Sequence, residues 1–132
     1  MRKVLVVLGA VLALLVGAVP AAAGPAGGST TLLGPAVGGQ EVEVGVAITG
    51  VYPVVAYEFV LENRCWFGGR FSGPVDSVER YPLLGPWFDA SGGSYSEETV
   101  SLTDVPSGAV CKVAVSRGSS PVKGTTTPYA VG

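Results

Sequence analysis

Leu102-Thr-Asp-Val-Pro-Ser-Gly-Ala-Val-Cys-Lys-Val-Ala-Val-Ser116 reads as strand, tight turn, strand. Val105-Pro106-Ser107-Gly108 has the residue types of a turn, because Pro pre-sets one φ and Gly is free to take φ > 0 just before the chain re-enters a strand. The expectation is a hairpin-like corner. Beyond it Ala109, Cys111, Val113 and Val115 recur at period two, with Lys112 and Ser116 on the other face, so Cys111 points inward.

Working outward, the same period governs two earlier stretches. Val42, Val44, Val46 and Ile48 alternate with Glu41, Glu43, Gly45, Ala47 and Thr49, a half-buried strand. Val51-Tyr-Pro53 interrupts it, since Pro cannot donate to a ladder. From Val54 to Cys65, Tyr57, Phe59, Leu61 and Cys65 share one phase and Glu58, Glu62 and Arg64 the other. Both cysteines therefore fall in core phase. Glu97–Thr103 resumes the alternation with Val100 and Leu102 inward, and a last strand runs from about Val122 to Val131, with Pro128 marking it as an edge. Six or seven short strands with turn residues at each break, and no convincing helix after the leader, predict a small all-β sandwich, of which the immunoglobulin-like kind is one form.

The first residues carry a different signal. Met1-Arg-Lys3, the apolar run Val4–Val19 and Pro20-Ala-Ala-Ala23 have the layout of a secretory signal peptide, so residues 1–23 are read as a leader removed on export. A transmembrane anchor is disfavoured because the run is short and lacks a basic stop-transfer cluster. Residues 24–39, rich in Gly and Pro, are expected to form a tether, within which Thr30-Thr-Leu-Leu33 has the makings of a short edge strand. Residues 40–132 form the single predicted domain.

Of the 132 residues, 109 remain once residues 1–23 are removed; with Arg2 and Lys3 gone, 6 basic face 10 acidic residues, net −4. Such a balance argues against nucleic-acid partners and against adhesion to anionic lipid, and no second apolar run is long enough to insert in a membrane. An exported chain with two cysteines most simply forms one disulfide, Cys65–Cys111. The alternatives, two free thiols or a metal pair, lack support because the chain has no histidine to complete a site.

Order and spacing of these motifs resemble a known family. Val42-Glu-Val-Gly-Val-Ala-Ile-Thr-Gly50, Tyr57-Glu-Phe-Val-Leu-Glu-Asn-Arg-Cys65 and Glu98–Val115 are similar to Cna-B-like domains, in the two-cysteine form found in actinobacterial surface proteins. The resemblance implies a prealbumin-like sandwich used as a stalk or spacer at the cell surface. Some members of that family carry a Lys–Asn isopeptide bond promoted by a buried acid. The corresponding Lys and acid positions fall on Val46 and Val115, and the last strand has no Asn, so the bond is expected to be absent.

Catalysis finds little to build on. Without histidine, and with both cysteines expected to be bonded, Ser/His/Asp and Cys/His schemes are excluded; no calcium loop, phosphate-cradling loop or cofactor motif is present. The one stretch worth a functional bet is 66–95, which breaks the alternation yet holds seven of the eleven aromatic residues. Trp66, Phe71, Tyr81, Trp87 and Phe88 are the candidate binding residues, bordered by Arg70, Arg80 and Asp89. Concentrated rings can make a low-entropy contact surface for an extracellular protein or glycan. The competing account is that they fold back as a lid or extra hairpin and complete a small core. The expected function is thus a secreted, non-enzymatic structural or binding module, with a small effector, inhibitor or hydrophobic-ligand binder as the alternative.

Overall fold

The computed structural model describes residues 27–49, 59–83 and 94–132. Among them are eight strands and no helix: β1 (Gly27–Leu32), β2 (Glu41–Thr49), β3 (Phe59–Trp66), β4 (Ser77–Pro82), β5 (Ser94–Ser101), β6 (Val110–Arg117), β7 (Ser120–Pro121) and β8 (Thr127–Ala130). They form two sheets. One has the order β1-β2-β5; the other is β4-β3-β6, extended on the far side of β6 by β7 and β8, with every named pair antiparallel. The order puts β2 at the centre of one sheet and β3–β6 at the centre of the other, as in immunoglobulin-like sandwiches.

Alternation produces the core directly. Val42, Val44, Val46 and Ile48 from β2 are buried against Phe59, Leu61 and Cys65 from β3 and Cys111, Val113 and Val115 from β6. Val46 and Val115 are thus plain packing residues. At about 1.5–3 kcal/mol for each fully buried aliphatic or aromatic side chain, these positions are the main reason the two sheets stay together.

The corner differs from the expected hairpin. β5 and β6 lie in different sheets, so residues 102–109 carry the chain across the end of the sandwich. Two successive turns do this, closed by Val105 N–H to Leu102 C=O at 3.0 Å and Ala109 N–H to Pro106 C=O at 3.2 Å, with Gly108 at φ 93°. Leu102, Val105 and Ala109 are buried in the end of the core, which a hairpin turn projecting into solvent would not allow. The glycine role is as read from the sequence, but the strands it joins do not pair.

Two further expectations change. The stretch 24–39 is not a tether from Gly27 onward, because β1 pairs with β2 along its whole length. Gly28 permits this approach, since a Cβ there would collide with the Ala47 carbonyl. The last strand, expected over about Val122–Val131, shortens to β8, and the two-residue β7 precedes it, both pairing with β6 on either side of Thr125. Its hydroxyl accepts from Val115 N–H at 2.9 Å and donates to Val122 C=O at 2.8 Å. Pro128 sits in β8 opposite Lys112, at the sheet edge as expected.

The sheets are stitched along both sides. On one, Thr30 Oγ1 donates to Thr125 C=O at 2.7 Å, Thr127 Oγ1 donates to Thr30 C=O at 2.9 Å, and Gly28 N–H reaches Lys123 C=O at 2.9 Å. On the other, Ser101 N–H donates to the Tyr81 hydroxyl at 3.0 Å, and that hydroxyl in turn donates to Glu79.

Candidate functional site

The residues singled out in 66–95 do not behave as one group. Trp87 and Phe88, with Asp89, lie outside the described residues. Tyr81 is in β4, half-buried against the core, and its hydroxyl bridges Glu79 and Ser101 as described above. It stitches the sheets and does not belong to a contact surface. This is the folding-back that the sequence left open, and it means that 77–82 is a paired strand within what read as a connection.

Trp66 and Phe71 do come together. Trp66 ends β3 on the outer face of its sheet, and the loop after it returns Phe71, with ring centroids 5.5 Å apart and planes at 78°. The loop is fixed by Trp66 Nε1–H to Gly73 C=O at 3.2 Å and by the Asp76 carboxylate accepting from Phe67 N–H at 2.7 Å. Phe71 remains 42% exposed. From β6, the Lys112 ammonium lies 4.8 Å from the Phe71 centroid and 5.8 Å from that of Trp66. A cation over such rings contributes about 0.5–1 kcal/mol at an exposed site.

Strand register extends this cluster into a charged strip. Arg64 lies opposite Lys112, and Glu62 lies opposite Ala114 on one side and Arg80 on the other. Glu62 Oε1 accepts from Arg64 Nε–H at 2.5 Å and Oε2 from an Arg80 terminal N–H at 2.8 Å. Beside them an open groove of about 350 Å³ runs over Ala114 and Ser116 to the β6–β7 turn at Ser119. Arg70 sits in the β3–β4 loop, exposed. The other sheet is opposite in character: Glu41, Glu43 and Glu97 share its outer face with Tyr95, which is 50% exposed.

One polar feature inside the sandwich went unread. Asn63 has the same inward phase as Leu61 and Cys65 and is 2% exposed. Its Oδ1 accepts from the Tyr129 hydroxyl at 2.6 Å, and its Nδ2–H points to Cys65 Sγ at 3.4 Å. The signal was available, since an Asn in core phase needs a buried partner. Cys65 and Cys111 form the disulfide, and no free cysteine remains. Among the described residues no group of His, Cys, Asp and Glu is placed to hold a metal, and no helix is long and apolar enough to cross a membrane.

Comparison with protein families, curated proteins and solved structures finds no match to this chain.

Proposed function

We propose that the chain is a secreted, non-enzymatic binding module that contacts an extracellular protein through the outer face of the β4-β3-β6 sheet. The observation that carries this is the convergence of Trp66, Phe71 and Lys112, from a strand, a loop and a neighbouring strand, on one patch in which Phe71 is exposed and Trp66 and Lys112 are half-buried. Aromatic residues backed by a cation are the composition of interface anchors. The rings stand nearly perpendicular, which suits insertion between a partner's side chains better than stacking against a flat sugar ring.

Export rests on the N-terminal signal and agrees with a buried disulfide, which persists in oxidising compartments. The non-enzymatic part rests on a chain without histidine whose two cysteines are bonded to each other. Kinship with Cna-B-like domains of the cell surface belongs to the same proposal, supported by the short motifs quoted above and by the two cysteine positions.

Affinity capture from the native extracellular milieu tests the reading, comparing the wild-type protein with a Trp66→Ala/Phe71→Ala variant. Loss of an interface anchor costs about 2 kcal/mol or more, roughly 30-fold in Kd, so specific partners should disappear from the variant's set. An unchanged set from a variant with an unchanged unfolding midpoint overturns the proposal.

A further inference from the structure

We infer that the groove bordered by Arg64 and Arg80 receives the carboxylates of an acidic peptide segment in that partner, with an apolar residue of the same segment on Trp66 and Phe71. This rests on the binding-module reading and names the partner's chemistry.

The geometry around Glu62 supplies the first reason. Its side chain is only 18% exposed and both carboxylate oxygens are engaged, one by each arginine, so it serves as an anchor. Each guanidinium carries five N–H donors in a planar fork, and among the described residues each is bonded only to Glu62. The remaining donors belong to two side chains that line the groove and stay 49% and 65% exposed. A carboxylate placed there accepts charge-assisted, bidentate bonds, about twice as strong as neutral ones. Little side-chain entropy is lost on binding, because Glu62 has already fixed both forks.

Charge complementarity supplies the second. On the outer face of these strands, among the described residues, Arg64, Arg80 and Lys112 accompany the single carboxylate of Glu62, with Asp76 held by Phe67 N–H in the adjoining loop, on a chain whose predicted mature form is net negative. The opposite outer face, with Glu41, Glu43 and Glu97, repels an acidic segment. An acidic partner is therefore steered to one side of the sandwich.

Shape supplies the third. Small residues, Ala114 and Ser116, line the groove, and its volume of about 350 Å³ has room for carboxylate side chains. Arg64 and Trp66 are two residues apart on β3, roughly 7 Å by strand rise. An extended peptide has the same repeat, so an acidic residue on the arginines puts its second neighbour over the rings. The recognised pattern is acidic–any–apolar, with further acids upstream.

The test is fluorescence anisotropy with a fluorescein-labelled peptide Glu-Ser-Glu-Ser-Leu-Ser and its counterpart with Lys for Glu. The wild-type protein should bind the acidic peptide saturably and the basic one not at all. Arg64→Gln and Arg80→Gln should each raise Kd roughly tenfold, the loss of one charge-assisted pair. Lys123→Gln, a charge removed elsewhere on the surface, should leave it unchanged, and Arg64→Lys should restore only part because an ammonium cannot make the fork. Absence of saturable binding, an equal loss with Lys123→Gln, or a preference for a sulfated glycan or for anionic vesicles overturns the inference. If the peptide fails while the Trp66→Ala/Phe71→Ala variant still loses its captured partners, the acidic-segment inference falls and the binding-module reading stands.

Discussion

Cys65 and Cys111 face one another across β3 and β6 with Cα atoms 4.1 Å apart, both fully buried. β3 turns the backbone groups of Phe59 and Cys65 toward β4, where they accept from Leu83 and Asp76 N–H at 2.9 Å. Its Cys65–Cys111 pair is therefore of the narrow, non-hydrogen-bonded kind, which brings side chains close. In antibody domains the conserved bridge joins the two sheets; here it locks two central strands of one. The closed loop has a sequence separation of 46, for which chain entropy gives about 4 kcal/mol. A Cys65→Ala/Cys111→Ala variant should lose stability of that order in urea unfolding, and the native protein should resist alkylation after mild reductant until it unfolds. A loss under about 1 kcal/mol would show that β3–β6 packing alone sets the local stability.

How far the sequence carries the fold follows from which residues obey alternation. Val42–Ile48 and Ala109–Val115 point one face to the core, so their strands, phase and disulfide were legible. β4 was not, because Glu79 occupies its inward phase and Val78 is 44% exposed, the reverse of the usual pattern. The inversion is tolerated because the Tyr81 hydroxyl satisfies Glu79. Of β1 only the end was legible, as the short edge strand expected at Thr30–Leu33; its start hid among Gly and Ser, and its inward Thr30 pairs with Thr125 and Thr127 in place of an apolar contact. Of the candidate site, Trp66 and Phe71 were legible by composition. Arg80 was already named at their border, whereas Lys112, Glu62 and Arg64 joined them only through strand register, which no local pattern encodes.

Tyr129 and Asn63 give a second prediction. Tyr129→Phe keeps the ring but leaves the buried Asn63 Oδ1 without its 2.6 Å donor. An unsatisfied buried acceptor costs about 1–3 kcal/mol, so the urea midpoint should fall at unchanged m-value. Adding Asn63→Leu should recover part of the loss, because removing both partners costs less than orphaning one. A double variant worse than the sum of its parts would mean that Asn63 matters through shape.

The two bridging tyrosines predict an alkaline limit. Tyr81 and Tyr129 are each pushed up from 10.0 to about 12, first by burial; for Tyr81 the bond to Glu79 adds, while for Tyr129 the bond to Asn63 opposes. Unfolded phenols ionise near about 10. Between about 10 and 12 the unfolded chain therefore holds fewer protons than the native one, so stability falls as pH rises. The contribution is whole below pH 10 and gone above 12. Unfolding midpoints across this window should drop, and the drop should be shallower in Tyr129→Phe and in Tyr81→Phe. A flat profile in the wild-type protein would contradict the burial of both rings.

Gly28 and Gly68 separate a packing demand from mere turn composition. Both are glycines with no left-handed φ, in a chain that has twenty. At Gly28 a methyl group would meet the Ala47 carbonyl and the β2 backbone behind it, atoms held by the β1–β2 ladder. The strands would have to part, breaking the Gly28–Lys123 bond that closes this side of the sandwich. At Gly68 nothing lies within 4 Å. Gly28→Ala should therefore cost about 1–3 kcal/mol, the usual penalty of overpacking. Gly68→Ala should be neutral or slightly stabilising, since a residue that fits the native backbone narrows the unfolded ensemble. Chemical denaturation of the two variants decides it. Hydrogen exchange adds the location: Gly28→Ala should expose β1 amides before those of β3 and β6, because β1 is an edge strand whose separation leaves the disulfide-locked centre of the other sheet intact.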